Sequence, residues 1–225
     1  MELVARKNGA FTPANEYFNF NSSFGTDGCS EICEIRPGFS TSPIDLTAKI
    51  RTVLEYGAHK EPELEFYAGQ FVNGYPIGGH CHVGLDYQPE LIEAYDVVLG
   101  ALSKCIDDLE QREKRQKSGY GKKGAYERNG HGFEYRFPGS FLLSPSITLV
   151  TFTLLKLATI GVIDDELNFA ELKGRQKSRT FLRNFETYLK TIPDDCIEGL
   201  RQLTVLLDKT INWDENILPN WGIAA

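Results

Sequence analysis

Apolar residues recur along this chain with two periods, and each predicts a different kind of element. Between residues 89 and 117, Leu91, Tyr95, Val98, Leu102, Ile106 and Leu109 fall three or four positions apart and share one face. That spacing predicts one long helix. Its end carries Arg112, Lys114, Arg115 and Lys117, where cations suit the negative pole of a helix. A helix is also predicted over residues 43–56, with Ser42 as cap and Pro43 in the first turn. Ile44, Ile50, Val53 and Leu54 would form its apolar face. Ser144-Pro145 opens a third, apolar helix reaching about residue 160, and two more are predicted near residues 178–190 and 194–211.

The strand signals come earlier. Residues 1–5 read as a strand entering a turn at Asn8-Gly9, and residues 31–35 as one that follows Asp27-Gly28 and ends at Pro37. Residues 63–71 and 133–137 are also strand-like, the latter stopped by Pro138-Gly139. Residues 73–79 and 118–132 read as glycine-rich loops. Strands early and helices late predict an α+β fold. A chain of 225 residues with no internal repeat is best read as one core.

Composition narrows the partners. An apolar content of 41% and a charged content of 24% are ordinary for a soluble protein. The net charge of −7 argues against a sequence-independent grip on nucleic acid. The longest apolar stretch, residues 147–163, is interrupted by Thr148, Thr151, Thr153, Lys156, Thr159 and Gly161, so no membrane span is expected. The N-terminus shows no secretory pattern, and five cysteines without scaffold-like spacing suit free thiols in a reducing cytoplasm. Cys29 and Cys33 have no second pair, which argues against a zinc knuckle.

Four segments concentrate side chains able to bind ions or phosphate. In the first, Asp27 sits at a turn and Glu34 on the strand after it; alone, the segment reads as a turn shaped by Asp27 and a solvated Glu31. In the second, Gly78-Gly79-His80-Cys81-His82 places two imidazoles at alternate strand positions behind glycines that admit a ligand to the backbone. A His-x-His pair alone is equally well a structural feature. The third is a basic loop with Arg115, Tyr120, Lys122, Lys123 and Arg128, whose bland reading is a solvated surface. The fourth puts Glu134 and Arg136 on one strand face, with Phe133, Tyr135 and Phe137 opposite. A carboxylate beside a guanidinium can hold a cation and a transferring phosphate, or form a plain structural ion pair.

Taken in order, these segments resemble the active-site strands of the glutamine synthetase and glutamate–cysteine ligase superfamily, most closely its compact, often phage-encoded COOH–NH2 ligases. Residues 73–83 resemble the loop and strand bearing a metal-binding histidine, and Phe133-Glu134-Tyr135-Arg136 resembles the Glu-x-Arg strand. Tyr120-Gly121 and Arg128 match the run between them, and the spacing of Asp27 and Glu34 resembles a second pair of metal acids. The likeness covers roughly residues 1–145. One departure stands out: Met1-Glu2-Leu3-Val4 resembles only the end of an Asp-Pro-Glu-x-Glu-like run. Glu2 matches the final acid, which implies weak binding of at least one metal by the chain as given.

The resemblance implies a glutamine-synthetase-like catalytic domain, a curved and mostly antiparallel sheet packed with helices. Residues 1–165 would form the catalytic part and residues 166–225 a helical part of the same domain. It further implies ATP with Mg2+ or Mn2+, the cation held by Glu2, Asp27, Glu34, His80 and Glu134. Arg136, Arg128 and Arg115 would clamp the transferring phosphoryl, and His82 with Gly78 and Gly79 would touch the ATP phosphates. Cys81 would be packing. The substrates would be a small-molecule or peptide carboxylate and an amine, acting in the cytoplasm (a host's, if the gene is a phage's), with no membrane or nucleic-acid partner and homo-oligomerisation left open. Two rivals remain: a degenerate ligase fold kept as a binding or virion component, and a metal-dependent hydrolase using His80 and His82.

Overall fold

The computed structural model describes residues 1–26, 28–165, 167, 172 and 178–224. The first strand, β1 (Glu2–Lys7), is the hub of a five-stranded sheet with β2 (Ala10–Thr12), β3 (Phe24–Thr26), β4 (Cys33–Ile35) and β5 (Leu64–Tyr67). Every pairing is antiparallel. Asn8 and Gly9 take φ of 52° and 78°, the double left-handed turn that joins β1 tightly to β2. The same device at Asn73 and Gly74 joins β6 (Phe71–Val72) to β7 (Tyr75–Pro76), so half of the expected 73–79 loop is a hairpin. A three-stranded antiparallel sheet of β8 (Cys81–Val83), β9 (Tyr126–Asn129) and β10 (Gly132–Tyr135) runs in the order β8-β10-β9. These sheets are packed with helices, and the fold class is α+β, as expected.

Bounded by described residues are the helices α1 (Pro43–Lys60), α2 (Pro89–Ile106), α3 (Leu109–Lys117), α4 (Pro145–Ile163), α5 (Ser178–Arg183) and α6 (Asp194–Leu206). The long helix expected over residues 89–117 is two. Asp107 is extended, and Asp108 caps α3 by accepting a 2.8 Å bond from the Gln111 N–H. Leu109 is consequently exposed rather than on the buried face. Ile44 is likewise exposed, while Ile50, Val53 and Leu54 are buried as expected. The expected 118–132 loop contains β9, which pairs with β10 across Gly130-His131. Strand 31–35 shortens to β4 because Cys29 to Ile32 form a turn closed by a 3.0 Å bond. Residues 178–190 form α5 and a 3-10 turn, Phe185–Tyr188, and α6 stops at Leu206.

One apolar cluster joins Leu3, Phe24, Phe66, Tyr135, Leu154, Phe185 and Trp221, so residues before and after 165 share a core. The C-terminal segment is pinned by Trp213 Nε1 to Ile106 O (2.8 Å) and Trp221 Nε1 to Leu142 O (2.7 Å). At 19 residues and mean hydropathy 1.9, α4 is long and apolar enough to cross a membrane by composition, contrary to the interrupted stretch expected. Its packing against α1, α2 and α6 accounts for that apolar character: 56% of the stretch is buried.

Candidate active site

Strand alternation builds the site. Phe133 and Tyr135 are fully buried in the core, so Glu134 and Arg136 point to the opposite face of β10. Register sets His82 of β8 beside Glu134 on one side and Glu127 of β9 on the other. His80, just before β8, reaches the same face. Its Nδ1 lies 3.0 Å from Glu134 Oε1 and its Nε2 lies 3.7 Å from Glu2 Oε1. His82 Nε2 is 3.7 Å from Glu134 Oε2, and Arg136 Nε is 3.4 Å from Glu134 Oε1. Arg136 also pairs with Glu127. Cys81 points the other way, its thiol buried and pushed up to about 12 by that burial.

Glu134 is the centre of this cluster. Its Oε1 is buried, yet no donor meets it in hydrogen-bond geometry, although His80 Nδ1 is close. Burial would raise its carboxyl, but His80, Arg136 and His82 outweigh this and hold it below the usual range. His82 is half exposed; desolvation lowers its imidazole more than Glu134 raises it. A buried anionic oxygen with an incomplete set of donors can accept a further donor or a cation. Among the described residues, however, no three His, Cys, Asp or Glu side chains converge as a finished metal cage.

The other acids are engaged. Glu34 stands opposite Glu2 in the β1–β4 register and pairs with Arg36, which also donates to Phe20 O, Ser22 O and Thr26 O. Glu2 is buried; its carboxylate accepts from Gly78 N–H, and its own N–H donates to Gly78 O at 2.9 Å. This two-way clasp fastens β1 to the loop ahead of His80. Asp27 lies outside the described residues.

Arg115 underlies the clasp. It is 2% exposed, and it donates to Phe137 O (2.7 Å), Arg136 O (3.3 Å) and Gln70 Oε1 (3.5 Å), with Nε left unpartnered. Burial lowers its guanidinium to about 10, opposed by the charges of Glu2 and Asp107. Gly78 is required here, since a Cβ would sit 2.8 Å from His80 Nε2 and 2.9 Å from Arg115 Nη2. Gly121, at φ 64°, lies directly against the same guanidinium. In this arrangement Arg115 fixes the backbone of the Glu134–Arg136 strand from below.

A cavity of about 380 Å³ opens beside the cluster, with Glu34, Arg36, His80 and His82 on its polar side and Phe39 and Phe152 among its apolar walls. The structure thus gathers Glu2, Glu34, His80, His82, Glu134 and Arg136. Arg128 stands apart. Register sets it beside Phe133, on the face away from Glu134, and its guanidinium stacks 4.8 Å over Tyr87. Gly78 and Gly79 commit their N–H groups to Glu2 and to Pro138 O (3.1 Å). Sequence reasoning overlooked Arg36, although Glu34-x-Arg36 repeats the Glu134-x-Arg136 spacing that puts both side chains on one face. It also passed over Gln70 and Asp107, which carry no local signal.

No curated protein and no solved structure matches this chain. A family model does, that of the phage phiEco32-like COOH.NH2 ligase-type 2, and it matches residues 1–214. That span takes in all three sheets, the acid–histidine cluster and all but the last residues, so the chain belongs to this family of carboxylate–amine ligases.

Proposed function

We propose that the protein joins a carboxylate to an amine at the expense of ATP, through an acyl phosphate formed in the cavity beside His80, His82 and Glu134. A substrate carboxylate oxygen attacks the terminal phosphorus of ATP and ADP departs. The amine nitrogen then attacks the acyl carbon, the bond from that carbon to the phosphate oxygen breaks, and the amine sheds a proton. No covalent bond to the protein is needed, which agrees with the burial of Cys81 on the far face of β8.

The observation that carries this proposal is the buried, incompletely satisfied Oε1 of Glu134 between an imidazole and a guanidinium. Mg2+ or Mn2+ favours such oxygen donors, and Glu134 with His80 beside it would hold the cation. When bound, the cation would neutralise phosphate charge. The protein's own work is positional. Arg136 offers a fork of N–H donors beside Glu134 for the transferring phosphoryl, and exposed His82 faces the phosphates at the cavity mouth. The apolar walls would exclude water that could hydrolyse an acyl phosphate. A glutamine-synthetase-like ancestry of the fold belongs to this same proposal.

The direct test is thermal. Saturating Mg·ATP should raise Tm by mass action, and ADP release should require both a carboxylate and an amine. No Tm shift with nucleotide and metal together would remove the ATP-dependent scheme.

A further inference from the structure

The arginine left over by this scheme has a setting of its own. Tyr87 and Tyr126 stack face to face, with ring centroids 4.3 Å apart and planes at 17°. Arg128 lies over the same Tyr87 ring, 4.8 Å from its centroid. Stacking holds a guanidinium by its face and leaves its N–H edges free for a planar anion. Among the described residues, no carboxylate lies within ion-pair distance of Arg128. An ordered arginine with uncommitted edges is a prepared receptor. It borders an open groove of about 740 Å³, whose other lining includes the exposed Asp86 and the hairpin tip from Asn129 to Gly132.

That tip is shared with the cavity already described. Asn129 Nδ2 is 3.4 Å from His82 Nδ1, and the His131 ring meets Phe39 edge-on at 6.3 Å. Asn129 and His131 line the groove, whereas His82 and Phe39 line the cavity. The two openings are therefore neighbours across one β-turn. A reaction of two substrates needs such a pair of approaches, one for the activated carboxylate and one for the amine.

We propose that the groove is the amine-substrate subsite, and that its ligand is an amino acid or short peptide whose own carboxylate docks on Arg128. The charges favour this class. One fixed cation and the nearby Asp86 suit a zwitterion, whereas a dianionic phosphate would face Asp86 with a single guanidinium in return. The amine end would pass over Asn129 toward His82. This assignment rests on the ligase reading for its catalytic meaning, but the binding itself does not require ATP.

The test is an NMR titration of the full chain with four probes: glycine, acetate, glycinamide and inorganic phosphate. Glycine and, more weakly, acetate should shift Arg128 Nε and the amides of residues 84–87 and 129–132, while glycinamide should not. Arg128→Gln should weaken the glycine response at least tenfold, and Arg128→Lys should restore little of it. Shifts that survive Arg128→Gln, a preference for phosphate, or equal response to glycinamide would each overturn the proposal. Glycine binding at Arg128 without any Mg·ATP effect on Tm would leave the subsite standing and remove the ATP-dependent scheme instead.

Discussion

His80 Nδ1 lies 3.0 Å from Glu134 Oε1, the buried carboxylate oxygen at the centre of the cluster. Glu134→Gln keeps the shape of the side chain and removes the charge that a divalent cation would seek. The substitution should leave Tm within a few degrees of the parent. It should weaken Mn2+ binding, followed by electron paramagnetic resonance, by about tenfold or more. Unchanged Mn2+ affinity would make the Glu134 cluster an ion-pair network and nothing more.

Arg115 and Glu2 form the second linked pair. Both are buried, and each sits against Gly78, the carboxylate through its N–H and the guanidinium beside its Cα. Removing one charge strands the other, so Arg115→Met should cost about 3–5 kcal/mol. Adding Glu2→Gln to that variant should return part of the loss, because the stranded carboxylate is gone. A double-mutant cycle by urea denaturation measures the coupling, expected to exceed about 1 kcal/mol. Strictly additive losses would mean that Arg115 serves only the carbonyls of Arg136 and Phe137.

Asp107 supplies a pH signature. It is part-buried, receives bonds from Gln70 Nε2 (2.6 Å) and Ser103 Oγ, and its carboxyl is raised from 3.8 to about 6, chiefly by desolvation. A raised carboxyl means the folded state holds a proton that the unfolded state has released. Stability from this group is therefore full below the unfolded value of 3.8 and is lost as pH rises toward 6. Asp107→Asn cannot ionise, so the Tm of the variant minus that of the parent should climb between pH 4 and pH 6 and level off above. A flat difference across that window would show that Asp107 keeps an ordinary carboxyl.

The candidate site was legible where strand alternation decides orientation. Phe133, Tyr135 and Phe137 against Glu134 and Arg136, and His82 against Cys81, follow from a period of two and hold in the structure. Arg128 lies off the cluster because its face depends on β9, and no apolar alternation in the sequence marks residues 126–129 as a strand. The turn is Gly130-His131, with Asn129 still in the strand, so the Asn-Gly pair there does not mark a tight turn as Asn8-Gly9 does. The α2–α3 break was marked by Asp108 and Gln111, a capping pair inside an otherwise unbroken apolar period, and the period was the louder signal. Arg115 could not be placed from sequence at all. Its burial comes from Gln70, Gly78, Gly121 and Phe137, which only the tertiary fold brings together.

Gln111 tests why α3 is held where it is. The helix is polar almost throughout, with Arg115 its sole buried residue, so apolar burial does not dock it. The lock is two side chains one turn apart. Arg115 donates to the carbonyls of Arg136 and Phe137, and Gln111 Oε1 accepts from the backbone N–H groups of Gln70 (3.1 Å) and Phe71 (3.3 Å). Gln111→Ala leaves both part-buried N–H groups without that acceptor and should cost about 1–3 kcal/mol. Gln111→Glu keeps an oxygen in place and should recover most of it. Hydrogen exchange adds the spatial test: in Gln111→Ala, protection should fall first at Gln70, Phe71 and α3, while β1 stays protected. Equal losses for the alanine and glutamate variants would show that side-chain packing, rather than this acceptor, holds the helix against Gln70 and Phe71.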